Sequence, residues 1–333
     1  MKKVLSLILA LAMVFALAAC GEKQPSNDGN TDGDKSARGN VIMTFGTADT
    51  GGSMYPAGAA VSQVWTNNVQ GVKCNTQTST GSFQNCQDVS TGEVDVAVAT
   101  SDVVLNAYNG TGKFADIGKL DNLRVIGAVY TSVLSGVALK SSGLTYIHDL
   151  LGKRVAVGPA ASATENATLA AFAAMDITKD NTSLENLGLG DGADSVGDGI
   201  LDAAFGFAGL PIGGQLNLAA TKEIQVLDMT QEEIDKVLAG NAAYIQTKIP
   251  AGTYTGQDND ANTFGVKCLI IVTADMDADL VYDLCKAMNE HTEEMAAGNA
   301  LLKDMTDPSF LCTQMPIPLH DGAQKYYSEQ GLI

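Results

Sequence analysis

Four short stretches of this chain gather the residue types that hold a small anion. They are Gly46-Thr47-Ala48-Asp49-Thr50-Gly51-Gly52-Ser53-Met54-Tyr55-Pro56, then Ser79-Thr80-Gly81-Ser82, then Thr100-Ser101-Asp102, and last Gly158-Pro159-Ala160-Ala161-Ser162-Ala163-Thr164. Each follows an apolar or alternating run and precedes an amphipathic one. A strand that feeds a Gly/Ser/Thr loop and then a helix leaves unpaired backbone N–H groups pointing at one spot. The positive end of the helix dipole adds to them, so such a loop suits an anionic group. Serine and threonine at a helix start are also ordinary N-caps, which is the simpler role for each hydroxyl taken singly.

Other chemistries leave no trace. No serine sits in Gly-x-Ser-x-Gly, and no Gly-x-x-x-x-Gly-Lys-Ser/Thr occurs, so neither a hydrolase elbow nor an ATP phosphate loop is present. His148, His291 and His320 are widely separated, and no two cysteines stand in Cys-x-x-Cys, so no metal spacing exists. Asp28-x-Asn30-x-Asp32-Gly33 imitates the start of a calcium loop, but its twelfth position is Gly39 where a glutamate is required. The sequence therefore calls for no catalytic residue, no metal and no cofactor.

The elements that must position the four stretches read as alternating strands and helices. Val41-Ile42-Met43-Thr44-Phe45 is extended, and Ala57 to Val69 is amphipathic. Val72 to Ser79 alternates as a half-exposed strand does. Val94 to Thr100 is a strand that ends at Ser101, before a helix through Tyr108. Such alternation predicts a parallel, doubly wound sheet whose carboxyl edge carries the loops. Leu123 to Tyr130 and Val133 to Lys140 read as an extended pair crossing into a second domain, and Phe264 to Thr273 as the run that crosses back. In that second half, Arg154-Val155-Ala156-Val157-Gly158 and the helix after it repeat the opening pattern. Thr230-x-x-Glu233 is a capping box, Asn241 to Gln257 reads as irregular, and Asp277 to Ala297 as one long packing helix.

The bulk properties narrow the partners. The chain has 333 residues and a formal net charge of −18, with three arginines, Arg38, Arg124 and Arg154. So acidic a surface argues against nucleic acid, which needs clustered lysine and arginine. Lys2-Lys3, the apolar Val4 to Ala16 and Leu17-Ala18-Ala19-Cys20 form a signal peptide with a lipobox ending. Residues 1–19 are the expected leader, and lipid on Cys20 the expected membrane anchor. Residues 20–40, rich in Asn, Asp, Gly and Ser, are the expected flexible tether. The five remaining cysteines, Cys74, Cys86, Cys268, Cys285 and Cys312, are an odd number and read as buried thiols, with pairing left open.

Taken together, these motifs resemble the TAXI type of extracytoplasmic solute-binding proteins that serve TRAP transporters. The resemblance is carried by Gly46 to Pro56, Ser79-Thr80-Gly81-Ser82-Phe83-Gln84-Asn85, Gly92-Glu93-Val94-Asp95 and Asp149-Leu150-x-Gly152-Lys153-Arg154-Val155. Asp198-Gly199-x-x-Asp202-Ala203 and Ile249-Pro250-Ala251-Gly252-Thr253-Tyr254-x-Gly256-Gln257 complete the set. It implies a type II periplasmic-binding-protein-like fold of two doubly wound α/β domains around a ligand cleft. Domain I would take residues 41–130 plus 263–333, and domain II residues 131–262.

The same resemblance implies a monomeric, non-enzymatic lipoprotein on the outer face of the cytoplasmic membrane. It would pass a small carboxylate, such as glutamate or 2-oxoglutarate, to an ion-coupled TRAP permease. Its ligand residues would be Thr50, Gly51, Gly52, Ser53 and Tyr55, then Thr80, Gly81 and Ser82, and across the cleft Ser162 and Thr164. Ser101 joins them from its place at a strand end, and Tyr55 and Phe205 are candidate apolar walls. Two departures stand out: Thr80 replaces a more usual glycine, and Ala161 and Ala163 flank Ser162 where glycines are usual. Alanine resists positive φ and keeps a ligand off the backbone by a methyl group. The alternative is the binding protein of an ATP-driven importer for sulfonates or thiamine precursors.

Overall fold

The computed structural model describes residues 39–50 and 52–333. The leader, Cys20, nearly all of the tether, and Gly51 lie outside the described residues. Ten strands form one mixed sheet in the order β2-β1-β3-β10-β4-β7-β5-β6, with β8 on β4 and β9 on β10. The first wing is β1 (Val41–Gly46), β2 (Val72–Gln77) and β3 (Val96–Thr100), all parallel. The second is β5 (Arg154–Ala156), β6 (Ser183–Glu185) and β7 (Ala203–Ala208), again parallel. Between them run two long strands, β4 (Leu123–Leu139) and β10 (Ala261–Thr273), with β8 (Ile224–Val226) and β9 (Ile245–Ile249) at their far ends.

The parallel sheet expected throughout is thus confined to the wings. β10 is antiparallel to both β3 and β4, and β4 is antiparallel to β7. Leu123 to Tyr130 and Val133 to Lys140, read separately in the sequence, are one strand of 17 residues. β4 pairs with β10 as far as Val133, and from Val133 on with β7. Its polarity therefore brings both carboxyl edges to the same place. Thr100, the last residue of β3, aligns through Cys268 with Tyr130, while Ala208, the last of β7, aligns with Val133. The two register shifts of the β4–β10 pair lie just N-terminal to Tyr130 on β4. Such bulges bend and twist a strand locally.

The helices are α1 (Met54–Asn68), α2 (Ser82–Thr91), α3 (Ser101–Asn109), α4 (Ala163–Ala173), α5 (Leu189–Gly197) and α6 (Gly213–Thr221). They continue with α7 (Gln231–Gly240), α8 (Ala278–Glu290), α9 (Thr292–Gly298), α10 (Pro308–Cys312) and α11 (Asp321–Glu329). β3 is Val-Ala-Val-Ala-Thr and buried along its whole length, as a strand covered on both faces must be. On one face Trp65 stacks on Phe45 at 5.5 Å and donates its indole N–H to the Leu284 carbonyl at 3.0 Å, fixing α1 against α8. α7 starts at the capping box expected, with Thr230 and Glu233 capping each other's backbone N–H.

Two expectations fail locally. The long helix over Asp277 to Ala297 breaks at His291, whose φ of −117° and ψ of 18° leave the helical region and start α9 afresh. The stretch Asn241 to Gln257 contains β9, a mostly exposed strand that borrows its order from hydrogen bonds to the buried β10. Its polar composition hides it from periodicity. All five described cysteines are buried and unpaired to one another, and burial pushes the Cys74 thiol up to about 11 and Cys268 up to about 12.

Close approach of β10 to β4 depends on Gly265, where an added Cβ would stand 2.4 Å from the Ser132 carbonyl oxygen. A Gly265→Ala variant is expected to lose about 1–3 kcal/mol of stability, measured as the shift of the urea midpoint at unchanged slope.

Candidate functional site

Where the carboxyl edges meet, the chain leaves a cleft of about 50 Å³. A water needs roughly 10–15 Å³ of such space, so the cleft holds a few waters or one small solute. The first wing supplies Ala48, Asp49, Gly52, Ser53, Met54, Thr80, Gly81 and Ser82. The second supplies Pro159, Ser162, Ala163, Thr164, Leu189, Phe207 and Ala208, and Tyr130 comes from the middle of β4. Met54, Ser82, Ala163 and Leu189 are the first residues of α1, α2, α4 and α5. Four helix starts therefore open on one cleft. α1, α2 and α5 have no side-chain cap, whereas Ser162 caps α4 by accepting from the Glu165 N–H at 3.1 Å. No lysine, arginine or histidine lines the cleft among the described residues. Arg154 is held by Asp202, and Arg124 donates to the carbonyls of Asp121 and Leu123.

The expected residues divide. Gly52, Ser53, Thr80, Gly81, Ser82, Ser162 and Thr164 come together on the cleft wall. Thr50 is exposed on a neighbouring groove with Pro56 and Gly190. Tyr55 faces a separate groove between α1 and α9. The reason is helical geometry: one residue beyond Met54, the side chain is turned by about 100° away from the helix start. Ser101 is buried at the beginning of α3 and Phe205 packs edge-on against Phe172 in the core, neither reaching the cleft. Gly51 lies outside the described residues.

Phe207, Tyr130, Leu189 and Met54 were missed. Strand parity gave a usable signal for Phe207: it lies on the same face of β7 as Phe205 but one step nearer the carboxyl end, where ligands sit. Tyr130 had none, because its position depends on pairing between residues far apart in the chain.

The wall hydroxyls are already engaged in shaping the loops. Ser82 Oγ accepts from the Thr100 N–H at 3.1 Å, tying α2 to the end of β3, and Thr164 Oγ1 accepts from the Phe207 N–H at 3.1 Å. Ser53 Oγ donates to the Gly209 carbonyl at 3.1 Å and so joins the first loop to the end of β7. Across the cleft, a Cβ on Gly81 would come within 3.8 Å of Ser162 Cβ. Lys113 pairs with Glu165 beside this approach. Ala161 adopts φ of 60°, the left-handed conformation its methyl group disfavours. Its N–H donates to Glu165 Oε2 at 2.8 Å, which fixes the turn.

Behind the cleft, the buried Asp102 of α3 accepts from Asn166 Nδ2 at 2.8 Å and from the Tyr244 hydroxyl at 3.1 Å, while its other oxygen makes no hydrogen bond of ordinary geometry, although Thr100 and the Val103 backbone lie beside the carboxyl. Burial raises its pKa above the ordinary carboxylate range.

The chain matches the NMT1-like family over residues 45–331. It belongs to that family. The NMT1-like match does not show the TAXI type. Among solved structures, it is similar to PhnD1 from Prochlorococcus marinus in complex with methylphosphonate, with a TM-score of 0.53 and 11% identity over 88% of this chain and 99% of that one. It is also similar to the alkanesulfonate-binding protein SsuA from Xanthomonas axonopodis pv. citri bound to MOPS, with a TM-score of 0.49, 14% identity and coverage of 88% and 85%. This NMT1-like chain thus has the type II periplasmic-binding-protein-like fold.

Two outcomes follow from this geometry. Replacing Ala161 by glycine relieves a left-handed alanine and is expected to stabilise the fold by about 0.5–1 kcal/mol in urea titration. For Asp102, the folded chain keeps a proton that the unfolded chain has lost once pH exceeds the ordinary aspartate value. Its contribution to stability is therefore fullest in acid and falls as pH rises through the window up to the raised pKa. Asp102→Asn is expected to flatten that fall in urea midpoints measured against pH.

Proposed function

We propose that this protein is an extracytoplasmic receptor that captures a small organic anion and hands it to a membrane importer. The observation that carries the reading is the convergence of four helix starts, with their hydroxyls, on one cleft that has no cationic side chain on its described walls. Hydrogen bonds to a charged headgroup contribute about 1.5–3 kcal/mol each, so a few of them reach micromolar affinity. A carboxylate, sulfonate or phosphonate headgroup meets these demands.

In this reading residues 41–130 with 263–333 form one lobe and residues 131–262 the other, joined through β4 and β10. Gly52, Ser53, Thr80, Gly81, Ser82, Ser162 and Thr164 bind the headgroup. Lipid on Cys20 holds the receptor to the membrane. Among the described residues no helix is long and apolar enough to cross it. The receptor role also implies no reaction at the cleft.

For the importer, the ATP-driven class for sulfonates and related anions is placed first. The fold shared with PhnD1 in complex with methylphosphonate supports an anion of that kind as the cargo, and the family match names no TAXI type. The ion-coupled TRAP reading is supported by the ordered motifs from Gly46 to Gln257.

Thermal denaturation with a panel of carboxylates, sulfonates, phosphonates and amino acids tests the receptor role. At least one small anion is expected to raise the melting temperature in a concentration-dependent way. A panel without effect at millimolar concentration sinks it. Uptake by cells whose ion gradients are collapsed while ATP is maintained separates the importers: persistence supports the ATP-driven class.

A further inference from the structure

The four helix starts are not electrostatically equal. α1 and α2 have no acidic residue in their first turns. α4 carries Glu165 in its first turn and α5 carries Asp191. A second carboxylate, Asp49, also stands at the α5 start: its Oδ2 lies 3.8 Å from where a Cβ on Gly188, the N-cap, would be. Glu165 is itself paired with Lys113, so the starts with no carboxylate of their own are α1 and α2. Two helix ends amount to about one elementary charge.

A further feature marks the same cleft as a place for a ligand. Tyr130 forms part of its wall, is 1% exposed, and its hydroxyl makes no hydrogen bond of ordinary geometry, although Cys268 and Ser132 lie beside it. Burial pushes the Tyr130 hydroxyl well above its ordinary pKa, so it remains a donor. Asp49 is exposed and lines the cleft on the same loop as Ser53. It is the one acidic side chain on the described cleft wall.

We propose that Asp49 sets the charge of the ligand: the cleft accepts a small organic anion of one net negative charge and rejects a dianion. The α1 and α2 starts neutralise one headgroup, with Tyr130 as an uncharged donor on the wall. A second carboxylate on the same small molecule has no cation to meet within the cleft and meets Asp49 instead. Like charges brought together in a partly dehydrated site cost enough to discriminate between ligands of the same shape. A zwitterion with two carboxylates and an ammonium satisfies the same rule, because its ammonium faces Asp49. 2-Oxoglutarate, a dianion, does not.

This inference rests on the receptor reading, and calorimetric titration of the full mature chain distinguishes the failure of one from the failure of the other. The probes are propanoate, ethanesulfonate, succinate and its monoamide succinamate, the last two nearly identical in shape. Succinamate is expected to bind at least about tenfold more tightly than succinate. Asp49→Asn is expected to narrow that ratio to within about threefold, and Asp49→Glu to restore it. Urea midpoints equal to that of the native chain show that the variants fold. Succinate binding as tightly as succinamate, or a ratio unchanged in Asp49→Asn, overturns the charge rule and leaves the receptor reading standing. Failure of all four probes to bind overturns the charge rule, and with an ineffective wider panel the receptor reading as well.

Discussion

The structure depends on one strand changing partners halfway along its length. At about 3.3 Å per residue, the 17 residues of β4 span roughly 55 Å, more than either wing needs. Its first half belongs to the sheet of β1, β2 and β3 through β10, and its second half to that of β5, β6 and β7. Because β10 intervenes on one side and not on the other, β3 runs with β4 and β7 against it. The carboxyl edges of two parallel sheets are thereby pointed at each other. A helix after a parallel strand begins at that strand's carboxyl edge. Four helix starts facing one cleft are thus a consequence of topology, and the loops only tune what they hold.

The hydroxyl-bearing loops were legible in the sequence because strand, small residues and helix follow one another locally. The same holds for the capping box at Thr230 and for the wholly apolar β3. What stayed hidden depends on partners distant in the chain. β9 is polar and mostly exposed, and it is a strand only because β10 lies beside it. Tyr130 looks like any aromatic in an apolar run until Cys268 and Thr100 are aligned with it. Tyr55 and Phe205 were plausible walls by composition, yet a turn of helix and one strand step put Met54 and Phe207 there instead.

An acidic chain and the proposed anion-binding cleft are compatible because the two effects act over different ranges. The net charge of −18 is spread over a hydrated surface, where salt screens it within about 8 Å at physiological ionic strength. Helix ends act over a few ångströms, in a space with little water, and there their partial charges count for more. Using backbone N–H groups in place of arginine also limits the charge that can be held. An arginine adds a full unit, whereas each helix start adds about half of one, and Asp191 and Asp49 at α5 already reduce one of the four. In the proposed receptor role the cleft would therefore suit a weakly charged ligand by its construction.

The opposing loops show how narrow that construction is. Gly81 takes a φ of 115°, which a residue with a side chain rarely adopts, and it faces Ser162 at a distance where even a Cβ would make only ordinary contact. On the other side Ala161 takes a left-handed conformation although it is not glycine, at a cost of about 1–2 kcal/mol. Strain of that kind persists only where surroundings over-determine it. Here they do: the Ala161 N–H is held by Glu165, Glu165 by Lys113 from the first wing and by Asn186, and Ser162 caps α4. The methyl group of Ala163, next to Ser162 on the cleft wall, covers the backbone there. The side of the cleft formed by α1 and α2, where Gly52 and Gly81 place no side chain in the way although their own N–H groups donate to the Asp49 carbonyl and Ser79 Oγ, is left as the place where the backbone of the helix starts is least covered.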